Sequence, residues 1–152
     1  MQHTLKISRK IDYGLRAMIF LASIPSGEIV PFREIARRMQ IPEEFAAKIL
    51  KTLSTKGLVK ATRGKLGGYS LAKRMADISF LDVIEAVEGP VVVNLCLDRG
   101  DTCKLTPSCT MYSVWKEGQE RMLEVYREAT LDKLVIQSLP PRLRAALPLD
   151  KA

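Results

Sequence analysis

The 152-residue chain has a single histidine, a single tryptophan and only 6% aromatic residues. The histidine, His3, stands near the start, and the other residues offer no Ser, His and Asp set and no paired carboxylates beyond helix-surface charges. General acid–base and nucleophilic catalysis lack their usual groups, so the reading is that this is not an enzyme. Long apolar runs are missing as well. The stretch from Ile11 to Ile24 is interrupted by Asp12 and Arg16, so it falls short of a bilayer span, and no small-residue cleavage site makes it a signal peptide. The expectation is a cytoplasmic protein with no membrane partner. Glycine is present, but no Gly-Lys-Ser/Thr opens a helix after a buried strand, which excludes a nucleotide-phosphate cradle of that kind. Internal repeats and long low-complexity segments are absent. A hydrophobic content of 47% at this length suits one ordinary core, or a compact module with an appended helix.

Cysteine is scarce and concentrated. All three, Cys96, Cys103 and Cys109, lie in the segment CLDRGDTCKLTPSC, with six and then five residues between them. In a reducing compartment an odd, clustered number of thiols favours metal binding or redox chemistry over a structural disulfide. Soft thiolates suit an iron–sulfur cluster or zinc, and three thiolates with one oxygen ligand can form a tetrahedral zinc site. Thiol switching without metal is a further possibility.

Charge divides the chain. Residues 1–74 hold fifteen Lys/Arg against five Asp/Glu, a net of +10, and residues 75–152 hold nine against twelve, a net of −3. A basic first half points to a polyanion, either nucleic acid or a membrane surface.

Periodicity fills in that half. Residues 9–24 place Ile11, Leu15, Met18, Ile19 and Ala22 at helical spacing, with Pro25-Ser26-Gly27 ending the pattern. A short second helix spans 31–39. Gln40-Ile41-Pro42 breaks it, because the residue before proline is driven out of the α region. A third helix runs from Pro42 to about Thr55 on the apolar set Phe45, Ile49, Leu50 and Leu53, and Gly57 stops it. Lys48, Lys51 and Thr52 lie on other faces, so helices two and three form a helix-turn-helix candidate whose second helix presents cations. Two short strands, residues 58–62 and 69–71, then flank Arg63-Gly64-Lys65-Leu66-Gly67-Gly68, which reads as a wing. Its glycines permit close approach to a neighbouring surface, while Arg63 and Lys65 supply charge where a phosphate or narrow minor groove would lie.

The second half is mostly helical too. Ile78 to Val87 predicts a fourth helix, closed by Glu88-Gly89-Pro90. After the cysteine segment, from about Met111 to Thr130, Met111, Trp115, Gly118, Met122, Val125 and Ala129 recur in three- and four-residue steps, the pattern of a helix–helix seam. Such a helix outside a compact module buries its face against a two-fold partner or against its own domain. The fold class is therefore mainly α with a small β-wing (α+β). The domain reading is a winged helix-turn-helix domain over 1–90, a cysteine loop over 91–110, a dimerisation helix over 111–135, and a disordered tail over 136–152.

The ordered set Asp12-Tyr13-Gly14-Leu15-Arg16-Ala17, Ile41-Pro42, Phe45, Gly57-Leu58-Val59, Arg63-Gly64, Gly67-Gly68-Tyr69, Val87-Glu88-Gly89, the three cysteines and Trp115 resembles the Rrf2 family of bacterial transcription regulators, over roughly residues 5–135. The resemblance implies a homodimeric winged helix-turn-helix repressor, joined by the long helix, that binds double-stranded DNA at a palindromic operator. It also implies an iron–sulfur cluster, [4Fe-4S] or [2Fe-2S], on Cys96, Cys103 and Cys109, sensing nitric oxide, iron or redox status. One branch of the family takes a histidine three residues after the last cysteine as fourth ligand. That position is Tyr112 here. Another branch takes an aspartate near the start of helix one from the partner subunit, and Asp12 occupies the matching place. On the recognition helix Lys48, Lys51 and Thr52 are placed for the major groove or its flanking phosphates; the resemblance implies Arg63 as the wing arginine in the minor groove, with Gly67 and Tyr69 as further wing contacts, and Arg33 and Lys65 are better placed for phosphates. Ala47 replaces a base-reading glutamate of some members, so their operator preference does not carry over. An iron–sulfur interaction or electron-transfer protein is the alternative from another class, but it leaves the basic wing and the helix-three lysines without a role.

Overall fold

The computed structural model describes residues 7–98 and 103–138, with side chains to Val135. The elements in order are α1 (Arg9–Ser23), α2 (Phe32–Met39), α3 (Glu43–Thr55), β1 (Val59–Thr62), β2 (Gly68–Leu71), α4 (Phe80–Glu88), α5 (Thr110–Glu128) and α6 (Leu131–Ser138). His3 and the chain beyond Ser138 lie outside the described residues, so the disorder expected of the tail does too.

Helix α1 is the central pillar. Ser8 caps it by accepting a hydrogen bond from the Ile11 amide, and Ile11, Leu15, Met18, Leu21 and Ala22 turn one apolar stripe inward. Burying side chains such as Met18 or Leu53 contributes about 1.5–3 kcal/mol apiece. Gly14 lets α4 approach: a Cβ there would lie 2.9 Å from Val87 Cγ2.

The turn between α2 and α3 is built as the sequence suggests. Gln40 takes the left-handed conformation (φ 53°, ψ 48°), the Ile41 amide donates to Ala36 O at 2.9 Å, and Pro42 caps α3. One expected core position differs. Ala46, Ile49, Leu50 and Leu53 are buried, but Phe45 is 38% exposed. It stands at the edge of the stripe with its ring 5.8 Å from that of Tyr13, edge to face, and the smaller Ala46 fits where α3 meets the core.

The wing is an antiparallel pair in the register Val59↔Leu71, Lys60↔Ser70, Ala61↔Tyr69 and Thr62↔Gly68. Leu58, expected in the first strand, is buried just ahead of it, its amide donating to Leu53 O as α3 ends with Gly57 at φ +73°. A feature absent from the sequence reading secures the wing: Val30, just before α2, exchanges two backbone hydrogen bonds with Tyr69, at 3.0 and 2.9 Å.

Helix α4 starts two residues later than its periodicity predicts. Ser79 and Asp82 form a reciprocal capping box, so Ile78 precedes the helix and is fully buried. Helix α5 covers the stretch whose periodicity runs from Met111 to Ala129, whereas the residues up to 135 that the domain reading joined to it belong to a separate helix: α5 ends at Glu128, and α6 starts at Leu131. Tertiary pairing separates the two: Ser79 and Thr130 form an antiparallel bridge, Phe80 N donates to Ala129 O at 2.7 Å, Leu131 N donates to Ile78 O at 2.9 Å, and the Thr130 hydroxyl donates to Asp132. Leu131 is fully buried, and α6 returns to pack on α1. Helix α5 is left as an outer arm with no buried residue.

Candidate nucleic-acid interface and metal centre

The helix-turn-helix and the wing form one basic surface. Lys48 and Lys51 are exposed on α3, and half-buried Thr52 donates its hydroxyl hydrogen to Lys48 O at 3.0 Å, which leaves its oxygen lone pairs free to accept. Arg33 is exposed at the start of α2 and makes a long contact of 3.4 Å with Glu43, an exposed pair of little strength. Among the described residues, Lys48, Lys51, Arg63 and Lys65 have no carboxylate partner. Their charge is available to an external anion.

A cleft of about 450 Å³ separates the start of α2 from the wing, and it brings together Arg33, Arg63, Gly67 and Tyr69. Lys65 is at the wing tip, and the α3 lysines are outside the cleft lining. The backbone needs both glycines at the wing base. A Cβ on Gly67 would lie 2.4 Å from Thr62 O, and one on Gly68 would lie 2.3 Å from Val30 O. Backbone therefore approaches backbone at both: a side chain on Gly67 would open the wing's own turn, and one on Gly68 would push the wing away from Val30 and Pro31 before α2. Neither Val30 nor Glu43 was singled out from sequence; a lone valine and a first-turn glutamate carry no motif. The rest of α2 is also charged. Hydrogen bonds from Arg37 and then Arg38 hold the Glu34 carboxyl down to about 2.

The cysteines are free thiols. Half-buried Cys96 lies in a single 3₁₀ turn, Leu95–Leu97, Cys103 is exposed, and half-buried Cys109 stands at the N-cap of α5. The chain leading into the segment is tied down twice. Ser8 Oγ donates to Glu88 where the chain leaves α4, and Val93 N donates to Gln119 Oε1 at 2.9 Å. Asp12 is on the first turn of α1, paired with Arg16 at 2.7 Å, and Arg16 also donates to Met39 O at 3.3 Å. Among the described residues of the single chain, no three His, Cys, Asp or Glu side chains are gathered closely enough to hold a metal ion. The donor types suit an iron–sulfur cluster or zinc, while the gathering of these donors is not seen in one chain.

Beside this segment runs an apolar groove of about 840 Å³, lined by Ile11, Ile84, Val91, Trp115, Met122 and Tyr126 among others. Met111, Val114, Trp115 and Val125 remain exposed along α5. No helix among the described residues is long and apolar enough to cross a membrane.

A helix-turn-helix followed by a glycine-hinged wing, with unpaired cations on both, defines the winged helix class of transcription regulators. The chain belongs to the Rrf2 family, described as iron-dependent transcriptional regulators, whose model matches residues 7–137. It is 34% identical over 136 residues to the HTH-type transcriptional regulator Rv1287 of Mycobacterium tuberculosis, covering 90% of this chain and 84% of that one. Its fold is similar to that of CymR, the global cysteine regulator of B. subtilis, with a TM-score of 0.72 and 29% identity, covering 90% of this chain and all of the other. It is also similar to T. potens IscR, with a TM-score of 0.67 and 30% identity, covering 97% and 93% of the two chains.

Proposed function

We propose that the protein is a cytoplasmic homodimeric repressor of transcription, not an enzyme, whose affinity for a palindromic operator is set by an iron–sulfur cluster on Cys96, Cys103 and Cys109, with Asp12 of the partner subunit as fourth ligand. The observation that carries this reading is the set of three free, accessible thiols in the segment joining a winged helix-turn-helix to an unburied helix. A second copy laid along α5 covers the exposed stripe of Met111, Val114, Trp115 and Val125. When bound, the cluster supplies an iron that nitric oxide or oxidants attack, the iron with the oxygen ligand being the most open. The protein's part is positional. Asp12 either pairs with Arg16 or serves as a ligand, and Arg16 reaches Met39 O just before the turn into α3. A change at Asp12 is thus passed to the junction that sets the recognition helix. Lys48, Lys51 and Thr52 face the major groove, Arg63, Gly67 and Tyr69 present the wing to the minor groove, and Arg33 and Lys65 take phosphates.

A second reading, a metal-free thiol switch, draws on the lack of a gathered donor set among the described residues of the single chain and on the likeness to CymR; a zinc-dependent regulator of the same fold is a separate alternative. Anaerobic purification with iron, zinc and sulfide analysis separates these. The cluster reading expects iron with equivalent sulfide, and salt-dependent binding to the DNA upstream of its own gene that changes at least tenfold after nitric oxide. Binding unchanged by cluster loss sinks the sensor. Absence of binding in every state sinks the regulator.

A further inference from the structure

Among the described residues the most exposed large hydrophobic side chain is Leu66, at 89%. Most of its rivals, Leu95, Leu105, Met111, Val114 and Val125, belong to the cysteine segment and α5, where a second subunit accounts for them. Leu66 is alone, at the far end of the wing. Single exposed leucines are ordinary on protein surfaces. This one is presented by a built scaffold. The Gly67 amide donates to Gly64 O at 3.0 Å, closing a turn whose two central residues are Lys65 and Leu66, both exposed. The base of the wing is held to the segment before α2 by the Val30 and Tyr69 pair, and Gly68 has no room for a Cβ against Val30 O. The tip therefore projects from a braced base. Just ahead of Leu66, Arg63 and Lys65 have no carboxylate partner among the described residues.

We propose that Leu66 is an apolar minor-groove contact that makes the wing prefer A·T pairs. The proposal rests on the operator-binding reading above. Cations draw the tip to the narrow, electronegative groove of A·T tracts, where an apolar side chain meets the C2 edge of adenine without desolvating a donor. A G·C pair puts the guanine N2 amino group at that place, and Leu66 can neither pair with it nor pass it. The contact reads groove content and leaves the electrostatic term to Arg63 and Lys65.

The test uses the full-length anaerobic protein in its binding-competent state and three operator duplexes that differ only under the wings, carrying A·T, G·C or I·C pairs. Inosine gives a G·C-like major groove with an A·T-like minor groove. The wild type should bind the A·T and I·C duplexes alike and the G·C duplex more weakly. Leu66→Ala should lose about tenfold or more on the first two, with two wings per dimer, and discriminate little among the three. Its salt dependence should match the wild type's, whereas Lys65→Ala should show a shallower slope by about one per wing contact. Leu66→Asn, which restores bulk without an apolar surface, should behave like Leu66→Ala. Wild-type affinity of Leu66→Ala on all three duplexes overturns the assignment, as do equal losses on all three and a wild type that treats I·C like G·C. If the wild type binds no operator in any cluster state, the function proposed above fails instead.

Discussion

Two regions of this molecule are finished to different degrees. Helix α1 turns eight buried residues into a shared core, whereas the nineteen residues of α5 bury none, and the thiols around its start belong to no group of three metal-holding side chains among the described residues. The first region is closed by a buried core that Leu131 of α6 completes. The second has an apolar stripe without a cover and donors without a centre, so its structure depends on what joins it. On the cluster-controlled function proposed above, the reading surface is the constant part and the cysteine segment is the part that changes with its ligand.

The largest test of the contrast is stability. Leu53→Ala should lower the unfolding free energy by about 2–5 kcal/mol in urea titrations, whereas Ser113→Ala on the exposed side of the arm should change it by less than about 0.5 kcal/mol. Equal effects would mean that the arm is as integral to the fold as α3. Next in size is the covering of α5. Trp115→Ala should weaken self-association by roughly 2 kcal/mol, about thirtyfold, in sedimentation equilibrium, with the core unfolding transition kept. Unchanged association would remove α5 from the interface. On the reading surface, Arg63→Ala should cost about 1–3 kcal/mol and blunt preference at one operator position, whereas Lys65→Ala should weaken all sequences similarly. Loss of the same size on every sequence for both variants would erase that division of roles.

The smallest expected effect is a pH dependence within α2. The Glu34 carboxyl is held at about 2 by Arg37 and Arg38, below its ordinary 4.5. A carboxylate depressed in the folded state adds stability above 4.5 that fades as pH falls toward 2. Glu34→Gln should therefore make the acid limb of the urea midpoint shallower across that window. An identical limb would show that the pairing is not maintained in solution.

Local signals carried far in the first region. Pro42 after Ile41, Gly57 and the paired glycines of the wing mark turns whose backbone needs are met at those places, so α1, α2, α3 and the hairpin were legible with boundaries nearly right. What escaped depends on pairing between distant segments. The three- and four-residue steps from Met111 to Ala129 give α5 nearly its full length, but nothing in them shows that Thr130 will pair with Ser79 or that α6 will follow and turn back onto α1. Val30 bracing the wing, and Ala46 displacing Phe45 from the core, are likewise settled by neighbours brought together only on folding. At the site, the cysteines stood out by scarcity and Lys48, Lys51 and Arg63 by their place on helix and wing. The pair of Asp12 and Arg16 is the readable i,i+4 spacing of a helix, whereas the links from Arg16 to Met39 and from Arg33 to Glu43 have no such signature.

The central claim is that the cysteines of one chain and the aspartate of the other form one site, and mixed dimers address it directly. Chains carrying Asp12→Ala and chains carrying Cys109→Ser can be co-expressed with different affinity tags and the mixed dimer isolated anaerobically. If the site is shared, one complete set survives per mixed dimer, and iron resistant to a chelator should reach about half the wild-type content while either parent homodimer retains little. If mixed dimers hold no more resistant iron than the average of the two parents, the site is not shared and the account of the arm is wrong.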